Sequence, residues 1–218
     1  MIENYGFKKV KDLYAYLLDQ KQVYTDRFNR AHELVKKRYN ISFPTFNMKR
    51  FDEEVEKVKG IYNKAWAKNW GAVPMTDEEF DALAADLKMI IVPELVIFAV
   101  KDGKPIGFSL ALPDINVPLK YNKNGYTLPG FYHLLTKKKQ IDLVRIIVLG
   151  VLPEYLYTGA GGALFYETAV NARKLGYGYG EASWILEDNE RMIKSAEAML
   201  GVINKRYRIY ELELGTGQ

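Results

Sequence analysis

Three glycines lie within four positions, at Gly159, Gly161 and Gly162, shortly after an apolar run that ends at Val151. A strand that ends in a glycine-rich turn and continues as a helix leaves several backbone N–H groups unpaired beside the positive end of the helix dipole. Glycines leave room for a bulky diphosphate, and the Thr158 hydroxyl could donate one more hydrogen bond. The pattern indicates a backbone anion site, and a helix that packs closely on a sheet is the competing interpretation.

Two known phosphate-binding patterns fit these letters poorly. A Walker A loop needs Lys and then Ser or Thr after its last glycine, whereas an alanine and a leucine follow Gly162. The dinucleotide-binding pattern GxGxxG matches at Gly159 and Gly161, but Leu164 stands where its third glycine is required. Glu181 stands at about the right distance to hold a ribose. A nicotinamide-dependent oxidoreductase therefore stays open as the weaker alternative.

The bulk composition is that of a globular chain of 218 residues with a formal net charge of +4. The absence of cysteine excludes disulfides and thiolate metal sites, and two histidines about 100 positions apart predict no histidine metal cluster. No stretch approaches the roughly 20 apolar residues of a membrane span, and the first ten residues lack an apolar signal core. We therefore expect a cytoplasmic protein without a membrane partner. The basic run at residues 137–139 is interpreted as a solvated helix end rather than a nucleic-acid patch.

Hydrophobic periodicity predicts the elements that would position the glycine turn. A hairpin is indicated around Asp102 and Gly103, and Thr76 with Glu79 has the spacing of a helix capping box. The remaining elements are an edge strand at 41–48, helices at 51–69, 159–175 and 189–200, and strands at 141–151, 180–186 and 202–214. This order predicts an α/β (α+β) fold, in which a mixed, largely antiparallel central sheet carries helices on both faces.

Residues 1–40 differ from the rest of the chain. Their pattern predicts two helices, at 8–18 and 21–39, with many charges, no strand and little apolar surface. We expect a helical N-terminal appendage that packs on a larger domain formed by residues 41–218.

The stretch LGVLPEYLYTGAGGAL, residues 149–164, resembles the acyl-coenzyme A binding segment of the GNAT (GCN5-related) N-acetyltransferase superfamily. The positions in register are Val151, Pro153, Glu154, Tyr155, Gly159, Gly161 and Leu164. The resemblance covers about residues 41–214. The stretches NWGAVPMTDEEF, PDIN and SWILEDN are also similar to a bacterial branch in which this domain follows a second domain of similar kind. Residues 1–40 would then be the trailing end of that preceding domain.

The resemblance implies a GNAT-like fold in which the strands on either side of the loop helix separate and the pantetheine arm of acetyl-CoA, or another acyl-CoA, lies between them. It implies direct transfer of an acyl group, most simply acetyl, to a primary amine. The cofactor-binding positions carried over by register are Leu149, Val151, Leu156, Tyr157, Thr158, Gly159, Ala160, Gly161, Gly162 and Asn189.

The sequence departs from the superfamily pattern at three positions. Leu156 stands where Arg or Gln usually begins the loop, Glu197 where a proton-donating tyrosine is frequent, and Arg145 where some members carry a carboxylate base. Glu181, in an apolar strand, is therefore either a base or a structural partner of Arg145. Asp114 is a further catalytic candidate, and an ordinary turn is the alternative for it. A catalytically weakened acyl-CoA binding or scaffold domain is the leading alternative to an enzyme.

The long segment at residues 113–140, with Tyr121, Tyr126 and His133, is our expected wall for the acceptor. The acceptor itself is expected to be a small-molecule amine, with an amino acid, a peptide terminus, a polyamine, an aminoglycoside and a lipid-linked amine all left open. No nucleic-acid partner is expected. Either a monomer or a homodimer is compatible with the predicted edge strand.

Overall fold

The computed structural model describes residues 2–23 and 25–214, which form a seven-stranded sheet with helices on both faces. The strand order is β2-β3-β4-β5-β6-β1-β7, and only the β5–β6 pair among these strands is parallel. The strands are β1 (Lys8–Asp19), β2 (Ile41–Ser42), β3 (Val96–Lys101), β4 (Lys104–Pro113), β5 (Leu143–Val151), β6 (Tyr179–Leu186) and β7 (Val202–Glu211). The predicted fold class is confirmed.

Two groups of helices cover the sheet. The helices are α1 (Gln20–Val23), α2 (Asp26–Tyr39), α3 (Phe51–Trp66), α4 (Asp77–Leu87), α5 (Asn116–Leu119), α6 (Thr127–Lys137), α7 (Ala160–Lys174) and α8 (Glu190–Ala198). Phe165 of α7 and Val23 of α1 share one core cluster, whereas Ile61 of α3 belongs to another with Phe98 and Phe108. None of the helices in the described ranges is long and apolar enough to cross a membrane.

Local sequence signals set several element boundaries as predicted. Thr76 Oγ1 accepts a hydrogen bond from the Glu79 amide at 3.2 Å, and Glu79 Oε2 accepts one from the Thr76 amide at 2.8 Å. This reciprocal pair starts α4. The β3–β4 hairpin turns at Asp102 and Gly103, whose φ angles of 49° and 78° are those of a type I′ turn. The predicted strand at 41–48 is shorter: β2 ends at Ser42, and it lies at the edge of the sheet.

The helix predicted for residues 8–18 is wrong, because this segment is strand β1. It lies inside the sheet and pairs antiparallel with both β6 and β7. Ala15, Tyr16 and Leu18 are buried, so both faces of the strand are covered. Only residues 13–18 form a continuous apolar run, which has no alternation to separate a strand from a helix, so tertiary pairing decides. The predicted helical appendage therefore contributes a strand to the common sheet.

A buried ion pair joins β1 to β7. Asp12, which is 2% exposed, accepts hydrogen bonds from Arg208 Nε at 2.8 Å and from Arg208 Nη2 at 3.0 Å. Lys9 Nζ lies 3.2 Å from the same carboxylate. Arg208, with a smaller contribution from Lys9, lowers the pKa of Asp12 to about 2. The bidentate geometry is the strong form of this interaction.

Replacing Asp12 with Asn is expected to lower stability at neutral pH and to flatten its dependence on acid. The depressed pKa means that the ion pair stabilises the fold fully above about pH 4, the ordinary range of an aspartate, and loses this effect as the pH falls through about 2. Urea unfolding between these pH values should therefore show the wild type and the variant converging. Asp86→Asn, on an exposed residue of α4, is the control. Parallel curves for wild type and D12N would contradict the prediction.

Candidate functional site

Strands β5 and β6 separate partway along their length. Their parallel register ends at Ile146 opposite Ala182, whereas β5 continues to Val151 along β4 and β6 continues to Leu186 along β1. Each of the two strands keeps an antiparallel partner on the side away from the gap. On the side of the gap, each strand has an unpaired backbone edge. The separation expected from the GNAT resemblance is therefore present.

The glycine turn lies at one end of this gap. After β5, residues 153–158 form a 3-10 turn, and Gly159 follows with a φ of 79° as the N-cap of α7. Gly161 and Gly162 are the second and third residues of α7, so their amides have no acceptor within the helix. A Cβ added at Gly162 would meet nothing within 4 Å. Both glycines line a groove of about 760 Å³.

The predicted cofactor residues divide into two groups. Those that line the groove are Leu149, Val151, Leu156, Gly159, Gly161, Gly162 and Asn189. Ala160 is fully buried beneath the turn, and the exposed Tyr157 packs its ring on Tyr39, at 6.0 Å between centroids. Asn189 caps α8, because its Oδ1 accepts a hydrogen bond from the Met192 amide at 3.2 Å.

The hydroxyl of Thr158 has a role inside the turn instead of the predicted ligand contact. The side chain is buried, and Oγ1 donates to the Tyr155 carbonyl at 2.6 Å while it accepts from the Ala160 amide at 3.2 Å. A hydroxyl has one proton to donate, and here the turn takes it. Thr158 therefore stabilises the shape of the loop.

Three cationic side chains that the sequence interpretation missed also line the groove, namely Lys68, Arg191 and Lys194. They lie on two different elements, after α3 and on α8, and no local spacing connects them. Lys194 Nζ forms an ion pair with Glu190 Oε2 at 2.8 Å. Together with the helix dipole, these cations favour an anionic ligand.

Trp66, at the end of α3, forms a wall of the gap. A Cβ built on Gly150 would lie 2.2 Å from Trp66 Cη2, so the indole ring rests directly on the backbone of β5. The same ring borders the groove and the gap between β5 and β6. Gly150 is therefore required by a close approach, and only the folded structure reveals its partner.

Glu181 and Arg145, two predicted catalytic residues, are partners of each other. Glu181 is 1% exposed, and its Oε1 lies 2.8 Å from Arg145 Nε. Lys205 Nζ donates to Glu181 Oε2 at 2.7 Å, and Ser183 Oγ donates to Oε1 at 2.9 Å. Arg145, Lys205 and Ser183 thus hold both carboxylate oxygens of Glu181. These contacts match the structural partnership with Arg145, which the sequence offered as one of two roles for Glu181.

Asp114 lies away from the gap. Its Oδ1 accepts hydrogen bonds from the backbone and side-chain nitrogens of Asn116, at 3.1 and 2.8 Å, and its own amide donates to the Leu143 carbonyl. This is the ordinary turn that the sequence offered as the alternative. The segment expected to form an acceptor wall is also elsewhere. Tyr121 donates a hydrogen bond to Gln140 and makes a tilted ring contact with His133, and neither ring borders the gap.

An apolar cavity of about 520 Å³ opens on the far side of the gap, between α3, α4 and the sheet. Its polar members are few, and the apolar side chains that line it include Phe51, Val55, Val58, Phe80, Leu83, Ala84, Leu87, Ile147 and Trp184. The sequence indicated α3 and α4 as ordinary core helices, because the same periodicity describes a face that lines a cavity.

Two hydroxyl side chains stand where the cavity meets the gap. Tyr62 and Ser183 border both spaces. Ser183 Oγ donates a hydrogen bond to Glu181 Oε1. The Tyr62 ring is fixed by stacking on Trp66, at 4.9 Å between centroids, and by an edge contact with Phe80 at 5.2 Å. Tyr62 is thus a positioned phenol at this junction.

This architecture is the fold of the GCN5-related N-acetyltransferases. A GCN5-related N-acetyltransferase from Sphaerobacter thermophilus superposes with a TM-score of 0.61 at 16% identity, over 96% of this chain and 53% of that one. AAC(6')-Iy, solved in complex with the bisubstrate analogue CoA-S-monomethyl-acetylneamine, gives a TM-score of 0.52 at 15% identity, over 80% of this chain and 99% of that one. The resemblance stated from the sequence is confirmed at the level of the fold.

Sequence relatives are more similar but longer. The chain is 34% identical to a protein named bacterial ceramide synthase, from Caulobacter vibrioides, over 98% of this chain and 57% of that protein. It is 31% identical to Protein YghO of Escherichia coli, over 98% of this chain and 56% of that protein. The chain therefore spans a little more than half the length of these curated relatives. No protein-family model matches it.

Substituting Gly150 with Ala is expected to displace Trp66 from β5. The added methyl group would overlap the indole ring, and overpacking of this kind costs about 1–3 kcal/mol. Chemical denaturation would measure the loss, and near-ultraviolet circular dichroism would report the changed indole environment. Gly60→Ala, at an open and exposed site on α3, is the control and should be neutral or stabilising. Equal behaviour of the two variants would contradict the close approach.

Proposed function

We propose that the chain is an acyl-CoA-dependent N-acyltransferase that moves an acyl group directly from the thioester to a primary amine, and that one of these two reactants carries a long alkyl chain. A single observation carries the proposal. The gap between β5 and β6 joins a groove lined by helix-terminal amides and cations to an apolar cavity. One end suits a diphosphate, and the other suits a hydrocarbon.

The groove would hold the coenzyme. The amides of Gly161 and Gly162 lie at the N-terminus of α7, where the helix dipole favours a phosphate. The sequence lacks the usual Arg or Gln at position 156, but Arg191 and Lys68 border the same groove and supply charge from other elements. The pantetheine arm would follow the open edge of β5, with Asn189 beside it.

The thioester would lie at the backbone of Leu149 and Val151. A backbone N–H that donates to the thioester oxygen stabilises the negative charge that develops during attack, an effect of roughly 3 kcal/mol for one donor. No covalent enzyme intermediate is required, because the acyl group passes straight to the amine. The neutral amine attacks the carbonyl carbon, the C–S bond breaks, and the thiolate leaves, while the amine nitrogen loses one proton to solvent water.

Tyr62 is our candidate for the acid that protonates the leaving thiolate. Its ring is fixed at the junction of gap and cavity, and the other hydroxyl there, on Ser183, already donates to Glu181. Glu181 receives no proton-transfer role in this proposal, since Arg145 and Lys205 compensate its charge.

The alkyl chain would occupy the apolar cavity. Its volume falls within the range of about 300–1,000 Å³ that is typical of small-molecule sites. The relative from Caulobacter vibrioides is named as a ceramide synthase, and a ceramide is the N-acyl derivative of a long-chain amino alcohol. This name and the cavity together favour a longer chain than the acetyl group that the sequence suggested.

Two other functions make distinguishable predictions. A nicotinamide enzyme of the Rossmann type needs a parallel sheet, whereas the described strands contain one parallel pair. A non-catalytic acyl-CoA binding domain is favoured by one observation: Glu181, the carboxylate that the sequence offered as a base, is engaged in ion pairs with Arg145 and Lys205.

Acyl-CoA should stabilise the chain in a thermal-shift titration, and free thiol should appear only when a primary amine is also added. Tyr62→Phe is expected to lower turnover about 100-fold, within the usual range for a general acid, and to leave acyl-CoA stabilisation unchanged. Tyr5→Phe, at an exposed position, is the control. Stabilisation without thiol release across an amine panel would favour the scaffold alternative. Stabilisation by NAD but not by acyl-CoA would overturn the proposal.

Ala84→Phe is expected to fill the cavity and to select against long chains. Ala84 lines the cavity, whereas its neighbour Ala85 on α4 is exposed, so Ala85→Phe adds the same volume outside. The kcat/KM of A84F should fall about tenfold or more for long-chain reactants and stay unchanged for short ones, because one methylene contributes about 0.8 kcal/mol when buried. Varying the length of the acyl-CoA and of the amine in separate series shows which reactant uses the cavity. Equal losses for all lengths would contradict its role.

A further inference from the structure

Helix α6 presents an unusual apolar face to solvent. Leu128, Phe131, Tyr132 and Leu135 are 85%, 57%, 62% and 68% exposed. They are spaced at three and four residues, so they form one stripe along the helix. We call these four residues the α6 surface. Large apolar side chains that are exposed singly are common, but a contiguous stripe on one face marks an interaction site.

The opposite face of α6 packs against neighbouring segments of the chain. Gly130 is the buried residue of this helix, and a Cβ there would lie 2.8 Å from Asn122 Nδ2. The helix packs mainly against α5 and against residues 138–140. The α6 surface is therefore neither part of the core nor part of the substrate cavity, whose lining residues come from other elements.

The charged residues of the segment that contains α6 have a single sign. Residues 115–141 contain five lysines, Lys120, Lys123, Lys137, Lys138 and Lys139, and no aspartate or glutamate. Ion pairs elsewhere in the described part of the chain are numerous, yet none involves these five. Two of these lysines lie over the ring of Tyr121. The distance from Nζ to the ring centroid is 5.3 Å for Lys120 and 5.4 Å for Lys137. The patch is thus cationic as well as apolar and aromatic.

We propose that the α6 surface and its lysines dock the protein on an anionic lipid bilayer. An exposed apolar stripe bordered by lysines is the pattern of a helix that lies in the membrane interface, where the apolar side chains enter the headgroup boundary and the cations attract anionic lipids. Charge complementarity favours this partner over a second copy of the chain, whose equivalent patch would repel it.

Peripheral docking is compatible with the finding that no helix within residues 2–23 and 25–214 is long and apolar enough to cross a membrane. Our expectation of no membrane partner rested on the search for a span and a signal core, and neither criterion concerns an interfacial surface. The proposal does not depend on the acyltransferase function, because it uses residues outside the candidate site.

Vesicle co-sedimentation of the chain tests the proposal. Binding is expected to phosphatidylcholine vesicles that contain about 30% phosphatidylglycerol and not to phosphatidylcholine alone. It should weaken as salt rises, since mobile ions screen exposed charges. Binding that is absent from both vesicles, or equal on both, would overturn the proposal.

Matched variants locate the contact. Replacing Lys123, Lys138 and Lys139, which are all exposed, with Gln should weaken binding about a hundredfold. Replacing Lys21, Lys104 and Lys174, also exposed, makes the same change in net charge elsewhere and should have little effect. An equal loss in both triple variants would mean that net charge alone drives binding and would contradict the assignment to α6.

A second pair of variants tests the apolar stripe. The double substitution Leu128→Gln and Leu135→Gln should weaken binding to anionic vesicles at least tenfold, whereas Leu34→Gln with Met89→Gln, at exposed apolar sites on other elements, should not. Sedimentation velocity supplies a competing outcome. A dimer of the wild-type chain that becomes monomeric in the α6 variant would show that the surface joins two copies, and the membrane proposal would be wrong.

Discussion

The separation of β5 from β6 is the constraint on which the rest of the site depends. A sheet resists opening because each buried backbone group needs a hydrogen-bond partner. Here β5 keeps β4 and β6 keeps β1 as partners, so each strand loses only one edge. The two open edges then face a gap that extends from the glycine turn to the apolar cavity, and a ligand that binds as an extra strand would complete them.

Ionic contacts stabilise the sheet on both sides of this opening. Arg145 and Glu181 are partners in the β5–β6 register, one residue pair before the last one, and their side chains form an ion pair there. Lys205 extends this cluster to β7. On the outer side, Asp12 and Arg208 join β1 to β7. Buried ion pairs contribute little net stability compared with apolar packing, but removing one partner is costly. They therefore favour one register over others.

The two ends of the gap differ in the chemistry that they offer. The groove beside α7 and α8 presents amides and cations, whereas the cavity beneath α3 and α4 presents aliphatic and aromatic side chains. Trp66 and Tyr62, from consecutive turns of α3, stand between them. A molecule with a charged head and a hydrocarbon tail, or two molecules that meet at a polar reacting group, would match this division. The same combination of lysines with apolar side chains recurs on the outside of the protein, at α6.

The glycine turn, the hairpin, the capping box and the fold class could be predicted from the sequence, because each depends on local conformational preferences. These are φ above zero at Gly159 and Gly103, a side-chain cap at Thr76, and periodic apolar residues. Seven of the ten cofactor-binding positions expected from the resemblance line the groove, and their binding role stays a prediction. Only the tertiary structure decided that residues 8–19 are a strand, that Glu181 is an ion-pair partner, and that α3 and α4 enclose a cavity. These outcomes depend on which distant segments meet: Arg208 meets Asp12, Lys205 meets Glu181, and Trp66 meets Gly150. No spacing along the chain encodes such contacts, because their geometry is set by packing across the whole sheet.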